Sequence, residues 1–459
     1  MLRGFATIIL TACASLPSQL DAQTLPVPES IRAEGVPPVP ASLAAELNRY
    51  QNIRSASFQD WDQTGARAMY ITTRFADTPQ VHYLASPGGS RRQLTFFDNR
   101  VLGVAARPKY DQFLFEKDEG GAENNQLFLQ DRASGATRRI TDGKSRNIAP
   151  AWSRSGEILA WSSNARDGRD MDIYLAAPAD AHFQRRLKEV NGQWTVADWS
   201  PDGTRVVAEE YISINESYLH IIDITTGQTT TITPRRTAPK AEPIFAGSPR
   251  WSKDGKSIYY ITDEKSEFRR LVRYDLATGT KEGVLSPDIS GDVEEFDESD
   301  DGFLIAAVVN QNGSDIVYLV KPPQKHSLPG FPAGQVSGLK FRRGSHELGF
   351  TLSTSRKSSD ACSYAPDLFE ARFIEAGITN AQANSLSLHR WTESETGGLD
   401  TSTFAEPELI QYPTFDGRKI PAFVYRPPAA KFPGKRPVLI EIHGGPEGQF
   451  RPGFLGRLN

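Results

Sequence analysis

Cysteine is nearly absent from this chain: its 459 residues include two, Cys13 and Cys362. A disulfide framework and a cysteine-based metal site are thereby excluded, so packing must hold the fold. Beyond the N-terminus no stretch approaches the ~20 consecutive apolar residues that a membrane-spanning helix needs. An internal membrane anchor is not expected. There is also no excess of charge of one sign, with 52 basic against 56 acidic residues and a net charge of -4. Without a block of like charges, nucleic acid is not an expected partner. Besides His443, the histidines at 82, 182, 220, 326, 346 and 389 are scattered, without the short spacing that a zinc site uses. No metal and no cofactor is expected.

What is present is ordinary for a globular protein: 38% hydrophobic, 10% aromatic and 24% charged residues. The length exceeds what one ordinary core supports, roughly 250 to 300 residues, and so requires two units or a repeat array. The N-terminus places Arg3 before an apolar stretch from Phe5 to Ala14, then small and polar residues up to Ala22 and Gln23. This is the order of parts in a signal peptide, residues 1–22, and it predicts an exported, periplasmic or secreted protein. Cleavage after Ala22 is expected. Leu10-Thr-Ala-Cys13 also resembles a lipoprotein box, and lipidation at Cys13 is the alternative. Residues 23–51 follow as a Pro-rich connector, Leu25 to Pro40, and a short helix around Ala41 to Gln51.

The chain then repeats itself. Trp152-Ser-Arg-Ser-Gly156, Trp199-Ser-Pro-Asp-Gly203 and Trp251-Ser-Lys-Asp-Gly255 are copies of one turn, with weaker copies at Trp61, Arg107, Phe296 and Phe341. The steps between these markers are 46, 45, 47, 52, 45 and 45 residues. Each turn leads into a short β-rich run, such as Ser257 to Ile261, then a second, such as Leu271 to Asp275, then a Gly turn and a final short strand. Four strands of this length cannot bury their faces alone, so neighbouring units must stack. The period predicts an all-β, seven-bladed β-propeller over residues 52–404. The aromatic at the head of each turn is expected to pack between blades.

From residue 405 the pattern changes. Glu408 to Phe415, the turn Asp416-Gly417 and Arg418 to Tyr425 predict a hairpin. Arg436-Pro-Val-Leu-Ile-Glu-Ile442 is an apolar run that predicts a buried strand, and it ends in His443-Gly-Gly-Pro446.

A buried strand running into that tetrapeptide after an Asp-Gly hairpin resembles the opening of an α/β-hydrolase domain. With the propeller ahead of it, the chain resembles the prolyl oligopeptidase family of serine peptidases, most closely its acylaminoacyl-peptidase and dipeptidyl-peptidase-like branch. Residues 163–174, Ser163-Asn-Ala-Arg-Asp-Gly-Arg-Asp-Met-Asp-Ile-Tyr174, and His443 to Gln449 share in the likeness, although the repeats alone also occur in TolB-like propellers. The resemblance implies hydrolysis of short peptides through an acyl-enzyme, with residues 405–459 as the first part of the catalytic domain. It implies that the Gly445 N–H is an oxyanion donor, that Gly444 leaves room for substrate, that Pro446 stiffens the turn and that His443 orders the loop. The Ser, Asp and His of the triad are expected after Asn459, since no Gly-x-Ser-x-Gly occurs in the chain. A truncated chain, inactive alone, follows as the expectation. A TolB-like periplasmic propeller that binds a protein or glycan partner without catalysis is the alternative, and an esterase on the same scaffold is a third.

Two further sets of residues are candidates. Glu209 and Glu210 invite comparison with the glutamate pair by which some family members hold a substrate amine, but adjacent strand residues face opposite sides. Asp118, Glu123 and Gln126 flank Gly120-Gly121 in a polar loop placed to line the propeller's inner face.

Overall fold

The recurring turn is built by its own side chains. In Trp199-Ser-Pro-Asp-Gly203 the Ser200 hydroxyl donates to the Asp202 carboxylate at 2.6 Å and accepts from the Arg205 amide at 3.0 Å, while Gly203 takes φ +70°. The same bonds recur at Ser252 and Asp254 and at Ser299 and Asp301. A tight turn every ~45 residues sets the spacing of the strands that follow.

A computed structural model describes residues 23–180, 184–236, 238, 241–285, 287–321, 324–327, 334–365, 388–445 and 447–456. The predicted signal peptide with Cys13, Pro446 and Asn459 lie outside the described residues. Among those described, the strands form seven four-stranded antiparallel meanders, each contiguous in sequence, and one hairpin. The blades span 56–93, 101–139, 147–188, 193–231, 246–283, 292–327 and 335–390. First strands of successive blades contact one another, whereas fourth strands such as Thr137–Arg139 and Lys281–Gly283 are exposed. First strands therefore line the central channel. The sequence-derived propeller and the helix Ala41–Gln51 are both present. No helix among the described residues is long and apolar enough to cross a membrane.

The head-of-turn aromatics pack between blades. Trp61, Trp199, Trp251, Phe296 and Phe341 are buried. Three indoles also reach back to the preceding blade: Trp61, Trp152 and Trp199 donate through Nε1 to the carbonyls of Lys340, Ala105 and Ala151. In blade 5 the Arg250 guanidinium takes the equivalent carbonyl, that of Ala197.

All seven pairings between first and second strands carry a register shift, the mark of a β-bulge. A bulge turns a backbone N–H away from its own ladder. At five seams a side chain of the preceding blade accepts such an amide: Phe58 to Thr351, Val104 to Gln59, Val196 to Ser162, Ser248 to Glu209 and Leu339 to Glu295. In blades 1, 4 and 6 an aspartate repeats the device, Asp60, Asp198 and Asp297 accepting from the amides of Ala106, Trp251 and Phe341.

No strand is shared between blade 7 and blade 1, so side chains close the ring, together with backbone bonds from the Ala56 and Gly88 amides to the Ser359 and Trp391 carbonyls. Phe58, Trp61 and Met69 of blade 1 form one core cluster with Ala361 and Trp391 of blade 7. Lys340 pairs with Asp60 at 3.1 Å. Glu347, with a side chain 4% exposed, is held by Arg67 through two bonds of 2.6 and 2.9 Å, by Arg342 and by the Ser363 hydroxyl.

One expected element is not formed. Arg436–Ile442 has no strand partner among the described residues, and Val438, Leu439, Ile440 and Ile442 are 76–84% exposed. A strand apolar on both faces is stable only where neighbours cover both, and the hairpin Pro407–Pro413 with Lys419–Tyr425 pairs only with itself. Of the strands expected after residue 405, only those of the hairpin are formed among the described residues.

The closing seam makes two predictions. Burial opposes ionisation of Glu347, but Arg67, Ser363 and Arg342 hold its carboxyl below the usual 4.5. The stability it contributes is present above that value and is lost as pH falls through the lower, folded one. Glu347→Ala, which also leaves Arg67 and Arg342 without their partner, is expected to destabilise the propeller by about 2–3 kcal/mol at pH 7. Thermal melts of the two chains at pH 7 and below pH 4 check this; a difference that does not shrink in acid would refute the assignment.

Candidate functional site

The turn of the hairpin that follows the propeller is held by Gly417 at φ +83° and by Thr414, whose amide donates to the Arg418 carbonyl and whose hydroxyl donates to Asp416. Toward its base, Phe423 lies against the turn between the second and third strands of blade 6. That turn is Asn312-Gly313, both residues at positive φ, +53° and +89°, as a two-residue type I′ hairpin loop requires. A Cβ on Gly313 would come within 2.8 Å of the Phe423 ring. Absence of a side chain here is what lets the hairpin approach.

The loop His443–Gly448 is exposed and folds back on itself. Gly445 has φ +137°, and a Cβ there would stand 2.9 and 3.0 Å from the amide nitrogens of Gly448 and Glu447. Gly448 is as restricted, its Cβ position lying 2.6 Å from the Gly444 carbonyl. Three glycines in five residues thus allow backbone amides to crowd together, the arrangement that suits an anion or a developing oxyanion. The His443 Nδ1 sits 3.1 Å from the Gly444 carbonyl oxygen, so this ring braces the loop's own backbone. No carboxylate bonds it among the described residues.

Directly after the loop the chain is fastened to the propeller. Gln449 accepts from the Asn310 amide group at 2.6 Å, and Phe450 packs on Phe423 with ring centroids 6.4 Å apart. Arg451 spends all three guanidinium nitrogens on blade 6: Nη1 on Glu294 at 2.6 Å, Nη2 on Asp315 and Nε on the Gly313 carbonyl at 3.4 Å. Burial pushes the Asp315 carboxyl up to about 6, against the Val336 amide and the Arg451 charge. Phe454 stacks on Phe404 at 5.7 Å, its amide donating to Ser353. Sequence reasoning missed all of these anchors, because Gln449-Phe-Arg-Pro-Gly-Phe454 matches no chemical motif and its polar partners lie more than a hundred residues upstream.

The other candidates resolve into structural roles. Glu209 and Glu210 face opposite sides of their strand. Glu209 accepts from the bulge amide of Ser248, whereas Glu210 is held by Arg235 and by His220 at 2.8 Å, with His220 stacked on Trp194. The pair does not converge on one point. Gln126 is fully engaged, donating to the Asn124 and Ser145 carbonyls and accepting from Thr141 and Gly143, and Asp118 accepts from the Glu123 amide in the same loop. His82 is buried with Nδ1 on the Gln80 carbonyl, and His346 pairs with Asp301. A cavity of about 670 Å³ lined by Arg67, Asp300, His346 and Glu347 opens between the first-to-second turns, on the face opposite Gly313 and the loop.

One residue stands out from the seam pattern. Glu116 is the fifth residue of its second strand, as Glu209 is of its own. No hydrogen bond or ion pair reaches it among the described residues, and the Ala149 amide, which stands in blade 3 where Ser248 stands in blade 5, does not donate to it. Burial alone pushes its carboxyl up to about 7.

Comparison with known proteins adds the following. No family profile matches the chain. A curated relative, dipeptidyl-peptidase 5 of Porphyromonas gingivalis, is 26% identical over 243 residues, covering 47% of this chain and 33% of the relative. Among solved structures, puromycin hydrolase superposes with a TM-score of 0.67 at 16% identity, over 87% of this chain and 63% of that one. Prolyl oligopeptidase B from Galerina marginata, bound to a 35-residue hydrolysis and macrocyclization substrate, gives 0.65 at 14% identity, over 83% and 56%. The chain therefore has the propeller fold of prolyl oligopeptidase structures. It spans about a third of the curated relative's length and a little over half of each solved chain's.

Glu116 supplies a test of the seam. Its folded value near 7 lies above the ordinary 4.5, so the fold disfavours the ionised form. Its effect on stability is therefore absent below pH 4.5 and grows unfavourable as pH rises through 7. Glu116→Gln is expected to remove that slope and to stabilise the chain at pH 8 by an amount on the order of 1–3 kcal/mol. Melting curves from pH 4.5 to 8.5 decide it, and parallel pH profiles for the two proteins would refute the reading.

Proposed function

We propose that this chain is the propeller and the opening catalytic-domain segment of an exported serine peptidase of the prolyl oligopeptidase family, acting on short peptides. The observation that carries the proposal is the glycine loop His443–Gly448, fastened to the rim of a propeller shared with solved prolyl oligopeptidases. The 26% identity with a dipeptidyl-peptidase supports the same chemistry.

In this reading a serine C-terminal to Asn459 attacks the scissile carbonyl, and the oxygen gains negative charge in the tetrahedral intermediate. The Gly445 N–H meets that charge, with the amide after the nucleophile as its partner donor. Gly444 keeps the loop open to substrate, while Pro446 and the His443 ring fix its backbone. His443 takes no part in proton transfer, because the family order of Ser, Asp and His places all three later in the chain. The propeller acts as a size filter ahead of the site.

The test uses protein translated from the reading frame that continues past codon 459. It is expected to contain Gly-x-Ser-x-Gly followed by Asp and His, and to be labelled by a fluorophosphonate. Gly445→Val, which places a branched side chain against the Glu447 and Gly448 amides, is expected to slow labelling by about 10²-fold or more, the usual effect of losing an oxyanion donor. Stoichiometric labelling of the 459-residue chain itself would overturn the placement of the nucleophile after Asn459, and a frame without these residues would overturn the reading in favour of a propeller that only binds.

A further inference from the structure

The anchor that follows the loop has a consequence for the loop itself. Only Gln449 and Phe450 separate Gly448 from Arg451, so a side chain fixed at 451 limits the space open to the glycines before it. The glycines cannot fix themselves. With three in five residues the segment has high conformational entropy, and no bond between the loop His443–Gly448 and the propeller restrains it among the described residues.

We infer that Arg451 is the positioning residue of the glycine loop, and that blade 6, through Glu294, Asp315 and the Gly313 carbonyl, sets where the Gly445 amide points. The three acceptors lie in a fork that suits a planar guanidinium. Nη1 and Nη2 each take one carboxylate, and Nε takes a carbonyl that exists there because Asn312-Gly313 makes a two-residue turn. The Arg451 side chain is 17% exposed and that of Asp315 1%, so water competes weakly for this pairing. A lysine at 451 has a single nitrogen and cannot occupy all three positions. Gln449 on Asn310 and Phe450 on Phe423 flank the fork and keep the connecting residues taut. The propeller rim is therefore part of the loop's geometry as well as a cover for the site. This inference rests on the proposed oxyanion role only for its catalytic meaning, since the positioning itself is a statement about distance.

The experiment is an electron spin-echo distance measurement between nitroxides at Glu447→Cys, in the loop, and Lys357→Cys, in the second-to-third turn of blade 7, in a chain without Cys13 and Cys362. The parent is expected to give one narrow distance distribution. Arg451→Met, which leaves the buried Asp315 without its cation, is expected to broaden it at least twofold while the circular dichroism spectrum stays that of a folded propeller, and Arg451→Lys is expected to broaden it as well. Glu294→Ala removes an exposed partner and serves if Arg451→Met does not fold; it too must broaden the distribution. An unchanged width in Arg451→Met, or full retention of the narrow peak by lysine, overturns the inference. A loop that loosens in a protein without peptidase chemistry upholds it and refutes only the catalytic reading.

Discussion

A bulge in each first strand is the constraint on which the rest of this structure depends. Bulging lets the innermost strands bend around a channel, but it leaves amides pointing at the neighbouring blade instead of at their own ladder. A buried amide without an acceptor costs about 1–3 kcal/mol, so each such seam favours a blade that offers an oxygen at the right height. Thr351, Gln59, Ser162, Glu209 and Glu295 do so with four different residue types. Blade order is thereby coupled to polar complementarity as well as to the aromatic packing that the repeat announces. Glu116 marks the same height at a seam where no amide takes it up, and its carboxyl is raised by burial instead.

Because blades 1 and 7 share no strand, the ring closes on side chains and on a few backbone bonds outside the ladders, such as the Ala56 N–H to the Ser359 carbonyl. The hydrophobic cluster around Trp61 and Trp391 supplies burial, and Glu347 between Arg67 and Arg342 supplies direction. Functional geometry is concentrated beside this junction, on blades 6 and 7. Phe423 meets Gly313 and Arg451 meets Glu294 and Asp315 on blade 6, and the Phe454 amide meets Ser353 on blade 7, so the hairpin and glycine loop are referenced to a rigid rim. The apolar run Val438 to Ile442 has no such reference and stays in solvent.

Legibility followed sequence distance. The turn Trp199-Ser-Pro-Asp-Gly203 could be read because the bonds that shape it, from Ser200 to Asp202 and Arg205, lie within six residues, and the turn at Asp416-Gly417 for the same reason. The alternation rule sufficed to separate Glu209 from Glu210. It did not reveal that Glu209 serves Ser248, 39 residues away in the next blade. The strand expected at Arg436–Ile442 failed for a related cause: an apolar run states a demand for cover, and whether cover exists is not a local property.

Alone, the sequence determined the repeat, its seven units, the aromatic wedges and a glycine loop after an Asp-Gly hairpin, because each rests on φ preferences and side-chain periods that neighbouring residues set. Tertiary structure decided which polar groups meet across seams and which residue fastens the loop. Arg451 reaches Glu294 and Asp315 across 157 and 136 residues, and only the folded meander of blade 6 brings those carboxylates to one place.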